Sequence, residues 1–507
     1  MFAQLLNFTP NGINHQYMPI IFSLMFQQTA VYFTFILFTL FIVSVLISNL
    51  FVKKTSFAFN FIKNASVLVM GFIFLCVFCK FVLYSFNYRT YEVFIASRAF
   101  TTLKFNYLYS TPSLSLNGSI LSDAVVLLAF SSGLTCVYLL GEKNLSKYLS
   151  NVNTFSIFLI AIILMVYTTN LLVMFVSFEL LFIPTIYFIY SHGYVERVDK
   201  TLRILLYWTL CGAFLVLCSL SYLYFKYKTL NYYYLGIMEF SYNENLILFI
   251  MIFLGFGVKI PVFPFHYWLT KIHVEAPAGF SIFLSGFLVK AALYCFYFFN
   301  LIFNFKLGTQ LVTAVAIFGI VESSIKMWTQ TDFKKLIAFA TIQEMNLILY
   351  LLVNSQNVLE YSLVLFILIH GWLSTLMFLW VDIIQKKTSS RNIVYISGLG
   401  HTFPEIRYIT WVIILLFSGF PLTIKFVIEW QVLATLVLNP TILVVFVFFV
   451  VIVTGGIGFV KQMLLLLYGL PKQDSTVNTT LSKRDKYLLY YTTALLISLN
   501  ILNFFLG

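Results

Sequence analysis

The chain has 507 residues, 61% of them hydrophobic and only 10% charged, a composition that excludes an ordinary soluble globular protein. The formal net charge of +13 sits mostly in short loops between apolar runs. Basic loops of that kind belong beside anionic lipid headgroups, so phospholipid is the expected contact and nucleic acid is not. The six cysteines lie in apolar runs, where a reduced thiol packs as a small hydrophobe, and neither a disulfide framework nor a metal site is expected. Cys76 and Cys79 form one CxxC inside an apolar run with no second pair, which reads as packing.

At the N-terminus no basic region precedes a short apolar core, and no Arg- and Ser-rich leader is present, so no cleavable address is expected. With 58 Phe and 32 Tyr the sequence suits AT-rich codons, pointing to a gene translated inside an organelle. A helix crossing ~30 Å of hydrocarbon needs roughly 20 apolar residues. Such stretches recur at 30–52, 66–86, 119–141, 154–170, 171–190, 203–225, 245–268, 276–301, 307–327, 334–353, 359–384, 408–434, 440–468 and 487–506. The predicted fold is therefore an all-α polytopic membrane protein of about fourteen spans. Lys and Arg concentrate in loops leaving odd-numbered spans, including "VERVDKTLR", "TQTDFKKL", "IQKKTSSR" and "SKRDK". By the positive-inside rule these loops face the side of synthesis and both termini face the other side.

An ionisable side chain near the bilayer centre costs roughly 2.5–3.5 kcal/mol on insertion scales, so each is a functional candidate with a partner to be found. The candidates are Glu179, Lys259, Lys290, Glu344, His370 and Glu429, with Lys461 supported by spacing alone. Glu179 to Glu344 is 165 residues, Lys259 to Glu429 is 170 and Lys290 to Lys461 is 171. Each interval crosses five spans, an odd number, so the second set runs through the membrane in the opposite sense. That is the pattern of two inverted five-helix repeats, spans 4–8 and 9–13, within regions 1–150, 151–302, 303–470 and 471–507. Span 7 is interrupted after "GVKIP" and span 12 after "SGFP". An interrupted helix frees backbone carbonyls that a lysine ammonium can engage, and a carboxylate partner sets whether a buried lysine keeps its proton. Glu179 is the expected partner of Lys259. Glu322 and Lys425 read equally well as local structure.

"VKIPVFPFHYWLTKIHVEAP" at 258–277 resembles the lysine-bearing helix and following loop of the antiporter-like subunits of respiratory complex I, the "HVEAP" form being that of the subunit 4 group. "FELLFIP", "QTDFKKLIAFATIQEMNL", "HGWLSTLMF" and "GFPLTIKFVIE" resemble further blocks of that group in the same order, covering spans 5 to 12. The resemblance implies fourteen helices, two inverted units and a central polar axis that carries protons. It assigns Glu179 and Lys259 to the family's Glu and Lys pair, Lys290 to a connecting lysine, His370 to a buried histidine and Glu429 to the second broken helix. It also implies a place among the membrane-arm subunits of complex I in the mitochondrial inner membrane. FMN, iron-sulfur clusters and ubiquinone would then reside in other subunits, with no cofactor in this chain. Two positions depart from the pattern: Glu344 stands where the family usually has histidine, and Lys425 where it usually has asparagine. A monovalent cation/proton antiporter subunit of the Mrp type is the alternative function on the same fold.

Overall fold

In a computed structural model, residues 120–139, 145–193, 197–303, 306–354, 360–437 except 422, 449–470 and 481–506 are described, with a few isolated positions outside these ranges. Predicted span 1 and all but three positions of span 2, Cys76 and Cys79 included, lie outside the described residues. The described chain is helical, with two isolated β-bridges, Asn170 to Asn231 and Asp332 to Asn392. Among the described residues six stretches are helical, apolar and long enough to cross a membrane.

In chain order the helices are α1 (Ile120–Leu139), α2 (Leu145–Tyr167), α3 (Leu171–Leu180), α4 (Phe182–His192), α5 (Val198–Tyr227), α6 (Tyr242–Gly257), α7 (Tyr267–Glu275) and α8 (Ala278–Phe283). There follow α9 (Val289–Phe303), α10 (Lys306–Thr329), α11 (Phe333–Asn354), α12 (Glu360–Thr388), α13 (Pro404–Phe417), α14 (Ile424–Val437), α15 (Ile457–Tyr468) and α16 (Lys483–Leu506). Two π-helical segments, Leu284–Leu288 and Val450–Gly456, run straight into α9 and α15. The side-chain oxygens of Asn170 and Asp332 cap α3 and α11, accepting from the backbone N–H groups of Leu172 and Lys334, each at 2.9 Å.

Both predicted interruptions are present. After α6 the chain leaves the helix over 258–266, where Pro261 and Pro264 each remove a backbone donor. Between α13 and α14 it does so again, with Gly419 at φ +64°. A side chain at that φ would be strained, and a Cβ there would lie 2.7 Å from Glu429 Oε2. A smaller break at Leu181 divides α3 from α4, where Pro184 lacks the N–H that would have bonded to the preceding turn.

Burial grades the helices. The apolar window of α12 is wholly buried and that of α11 is 94% buried, whereas those of α5 and α10 are 33% and 39% buried. Two helices thus form the centre, and α5 and α10 turn apolar faces such as Tyr207, Leu210, Phe214 and Phe318 outward, where lipid or a neighbouring subunit takes the place of water. Peripheral α5 meets α6 through glycine: a Cβ on Gly212 would come within 2.6 Å of the Gly255 carbonyl oxygen. Small residues let membrane helices approach this closely. Gly212→Leu is expected to push α6 outward and cost about 1–3 kcal/mol by overpacking. A lower thermal midpoint of the assembled protein checks this; an unchanged midpoint contradicts the close crossing.

Candidate functional site

Of the six candidates five are buried and Glu179 is partly exposed. Lys259 lies in the first interruption, two residues past the end of α6, and its ammonium is held by the Glu179 carboxylate from α3. The rings of Phe178 and Phe182 each lie 4.4 Å from that nitrogen, offering their negative faces to the cation. The partners differ in exposure: the Lys259 side chain is 3% exposed and that of Glu179 is 27%. Glu179 therefore reaches the margin of the chain, within range of a neighbour, while Lys259 does not.

The carbonyls freed by the first break do not go to Lys259, as the sequence had suggested. Trp268 Nε1 donates to the Val258 carbonyl at 2.6 Å, and Asn346 Nδ2 to that of Pro261 at 3.4 Å. Neutral donors thus satisfy these two carbonyls, and the hydrogen bond of Lys259 among the described residues goes to Glu179. Beside this break, Glu322 on α10 pairs with Lys326 at 2.5 Å and approaches His266 at 3.5 Å.

Lys290 follows the first π segment, and its ammonium donates to the Ser285 carbonyl within it. A π turn bonds i to i+5 instead of i to i+4, which loosens the helical ladder locally. Ser285 Oγ meets Thr341 Oγ1 at 3.2 Å, so the residue whose carbonyl Lys290 engages also touches α11, the helix that carries Glu344. Lys290 is within electrostatic reach of Glu344. His370, on the central helix α12, is within reach of Lys290 and Lys425. Neither of its ring nitrogens has a hydrogen-bond partner among the described residues.

At the second break Lys425 gathers the remaining groups. Its ammonium donates to Glu344 Oε1 at 2.5 Å and to the Phe417 carbonyl at 2.6 Å, and lies 3.7 Å from Glu429 Oε1. The side chains of Lys425 and Glu344 are each 4% exposed and that of Glu429 is 6%. A small cavity of about 10 Å³, room for one water, opens here, lined by Gln343, Glu344, Ser418, Lys425 and Glu429 among others. Burying two carboxylates is tolerable only with a cation between them. Lys425, which the sequence leaves even between a functional and a local structural role, pairs with both candidate carboxylates, Glu344 and Glu429. Its spacing was the available signal, since Lys259 to Lys425 is 166 residues and Glu179 to Glu344 is 165.

Lys461 is not brought to this axis. It is exposed on α15, with its ammonium 5.1 Å from the centre of the Trp328 ring. The helical phase explains this, because Phe459, Gln462, Met463 and Leu466 occupy the buried face. Other buried groups escaped the sequence reading, His273 and Lys334 among them. His273, in "HVEAP", is fully buried, its ring 4.6 Å from that of Phe378, with neither nitrogen hydrogen-bonded among the described residues. Lys334, which reads as a loop charge, is buried and donates to the Ala276 carbonyl at 2.8 Å. Among the described residues no three His, Cys, Asp or Glu side chains converge as metal ligands.

Residues 168–455 match the family model described as NADH:quinone oxidoreductase/Mrp antiporter, TM. The NADH-ubiquinone oxidoreductase chain 4 of Paramecium tetraurelia is 35% identical over 77% of this chain and 82% of its own. That of Acanthamoeba castellanii is 29% identical over 80% of each. Among solved structures, a chain of respiratory complex I from Thermus thermophilus with bound aureothin superposes with a TM-score of 0.70 at 15% identity, covering 93% of this chain and 98% of its own. A chain of the Mrp complex from Dietzia sp. DQ12-45-1b gives 0.74 at 14% identity over 92% and 95%. The structural likenesses concern the fold; the sequence relatives and the family model, which spans more than half of the chain, show that it belongs to the NADH-ubiquinone oxidoreductase chain 4 family.

Proposed function

We propose that the chain is a core membrane-arm subunit of respiratory complex I, translocating protons across the mitochondrial inner membrane while other subunits oxidise NADH and reduce ubiquinone. The observation that carries this reading is the run of buried ionisable groups, from Glu179 and Lys259 through Lys290 and His370 to Glu344, Lys425 and Glu429, inside a member of the chain 4 family. A run of this kind is expensive in a membrane protein and marks an ion path. Opening of the Glu179–Lys259 pair starts transfer; Lys290 and His370 pass the proton on; Glu429 delivers it to the far side. Ser285 and Thr341 supply hydroxyls between the halves.

In the same reading the whole chain has fourteen spans, with regions 1–150, 151–302, 303–470 and 471–507 and inverted repeats over spans 4–8 and 9–13. Support comes from recurrence of local devices. Capped helices begin at Leu171 and Phe333, 162 residues apart, and the π segments begin at Leu284 and Val450, 166 apart. The two β-bridges join equivalent helix ends. Both termini face the intermembrane space, the gene is organellar, phospholipids and related antiporter-like subunits flank the chain, and FMN, iron-sulfur clusters and ubiquinone are held by other subunits. This chain contributes no redox centre.

The likeness to an Mrp complex chain makes sodium/proton exchange the competing reading. The assembled complex in sealed vesicles separates the two. NADH-driven proton uptake without sodium movement is expected, and sodium flux independent of NADH would overturn the proposal.

A further inference from the structure

We propose that Lys425 is itself a proton-relay residue, leaning between Glu344 and Glu429 on the Phe417 carbonyl as a pivot, so that this chain holds a second carboxylate–lysine switch besides Glu179–Lys259. The inference rests on the proton-carrying function above. Its warrant is geometric. An ammonium has three N–H donors. One goes to Glu344 Oε1 at 2.5 Å and one to the Phe417 carbonyl at 2.6 Å, leaving a third for Glu429, whose Oε1 at 3.7 Å is in ion-pair range but beyond a good hydrogen bond. A movement of roughly 1 Å exchanges the two carboxylates as hydrogen-bond partners. The small cavity of about 10 Å³ at this point, the size of one water, admits a shift of that size.

Charge counting gives the movement a trigger. Two carboxylates share one ammonium, so the fully ionised cluster carries one excess negative charge and has a place for one proton. Glu344 Oε2 has no hydrogen-bond partner among the described residues and is the natural acceptor. A hydronium reaching the small cavity gives up a proton, breaking one of its O–H bonds and forming an O–H bond at Glu344 Oε2. The neutral acid releases the ammonium, which turns to the Glu429 carboxylate. Lys425 then gives one proton to Glu429, breaking N–H and forming O–H, and regains one from Glu344. Glu344 and Lys425 end as they began, and Glu429 carries the proton onward. The Glu179–Lys259 pair has the same composition on the equivalent helix and break, but with one carboxylate in place of two.

If Lys425 serves only as a counter-ion, arginine will replace it, because the guanidinium keeps its charge and does not release a proton. The test is Lys425→Arg in the assembled complex, measured in vesicles as protons moved per NADH oxidised, with Lys259→Met alongside. We expect Lys425→Arg to lower the ratio as much as Lys259→Met does while the complex still assembles. A native ratio in Lys425→Arg, with a lowered one in Lys259→Met, overturns the second switch and leaves the proposed function standing. Native ratios in both overturn the proposed function itself. Should the arginine prevent assembly, the paired variant Lys425→Gln with Glu344→Gln removes one charge of each sign and leaves the cluster's single net negative charge on Glu429. Its expected result is the same lowered ratio, and a native ratio refutes the relay.

Discussion

Lys259→Met is expected to leave the complex assembled and oxidising NADH while fewer protons cross the membrane for each NADH consumed. Methionine retains the length and apolar stem of lysine, so the packing against Phe178 and Phe182 survives. The backbone of the break also survives, because Trp268 and Asn346, and not the lysine, satisfy its carbonyls. What is lost is the titrating group and the ion pair with Glu179. That carboxylate, 27% exposed at the edge of the chain, can be hydrated or protonated once its partner has gone, which keeps the structural cost small. Proton uptake by sealed vesicles, set against NADH oxidation, reads the ratio; an unchanged ratio with normal assembly would remove Lys259 from the route.

The same substitution at the other lysine is expected to act on stability first. Lys425→Met leaves Glu344 and Glu429 buried to within a few per cent of completely, with no cation between them and the Phe417 carbonyl deprived of its donor. Breaking a buried pair in this way costs about 3–5 kcal/mol. The variant complex should therefore unfold at a distinctly lower temperature or accumulate poorly. Adding Glu344→Gln, which removes one of the two unpaired charges and leaves Glu429, is expected to recover part of the loss. The two lysines thus give opposite experimental signatures, because one has a carboxylate at the surface and the other has two in the interior. Equal stability losses in Lys259→Met and Lys425→Met would refute that distinction.

Much of this arrangement was legible in the sequence. A lysine followed by two prolines announces a broken helix, and both breaks stand where "GVKIP" and "SGFP" placed them. Glu179 was identifiable as the partner of Lys259 because a buried cation needs a carboxylate within reach. Less was visible where geometry depends on helical phase and not on residue type. Spacing alone paired Lys290 with Lys461, yet the phase of α15 turns Lys461 outward. Spacing likewise matched Lys259 to Glu429, whereas the nearer counterpart is Lys425, four residues earlier and one helical turn away. The contact between Lys425 and Glu344 spans 81 residues and follows from no local pattern. His273 was hidden inside a stretch quoted for its resemblance, since a buried histidine and an ordinary one look alike in one dimension.

The π segment before Lys290 has a consequence for direction. Each residue of an α-helix turns the chain by roughly 100°, and one extra residue in a single turn rotates everything beyond it by that amount relative to a regular helix. Leu284–Leu288 is such a turn, and Lys290 lies two residues past its end. The wide turn therefore sets the bearing of the lysine about the helix axis, as well as offering it the Ser285 carbonyl. A chain of identical chemistry but one residue shorter here would aim the same ammonium about a quarter of a circle away from Glu344 and His370.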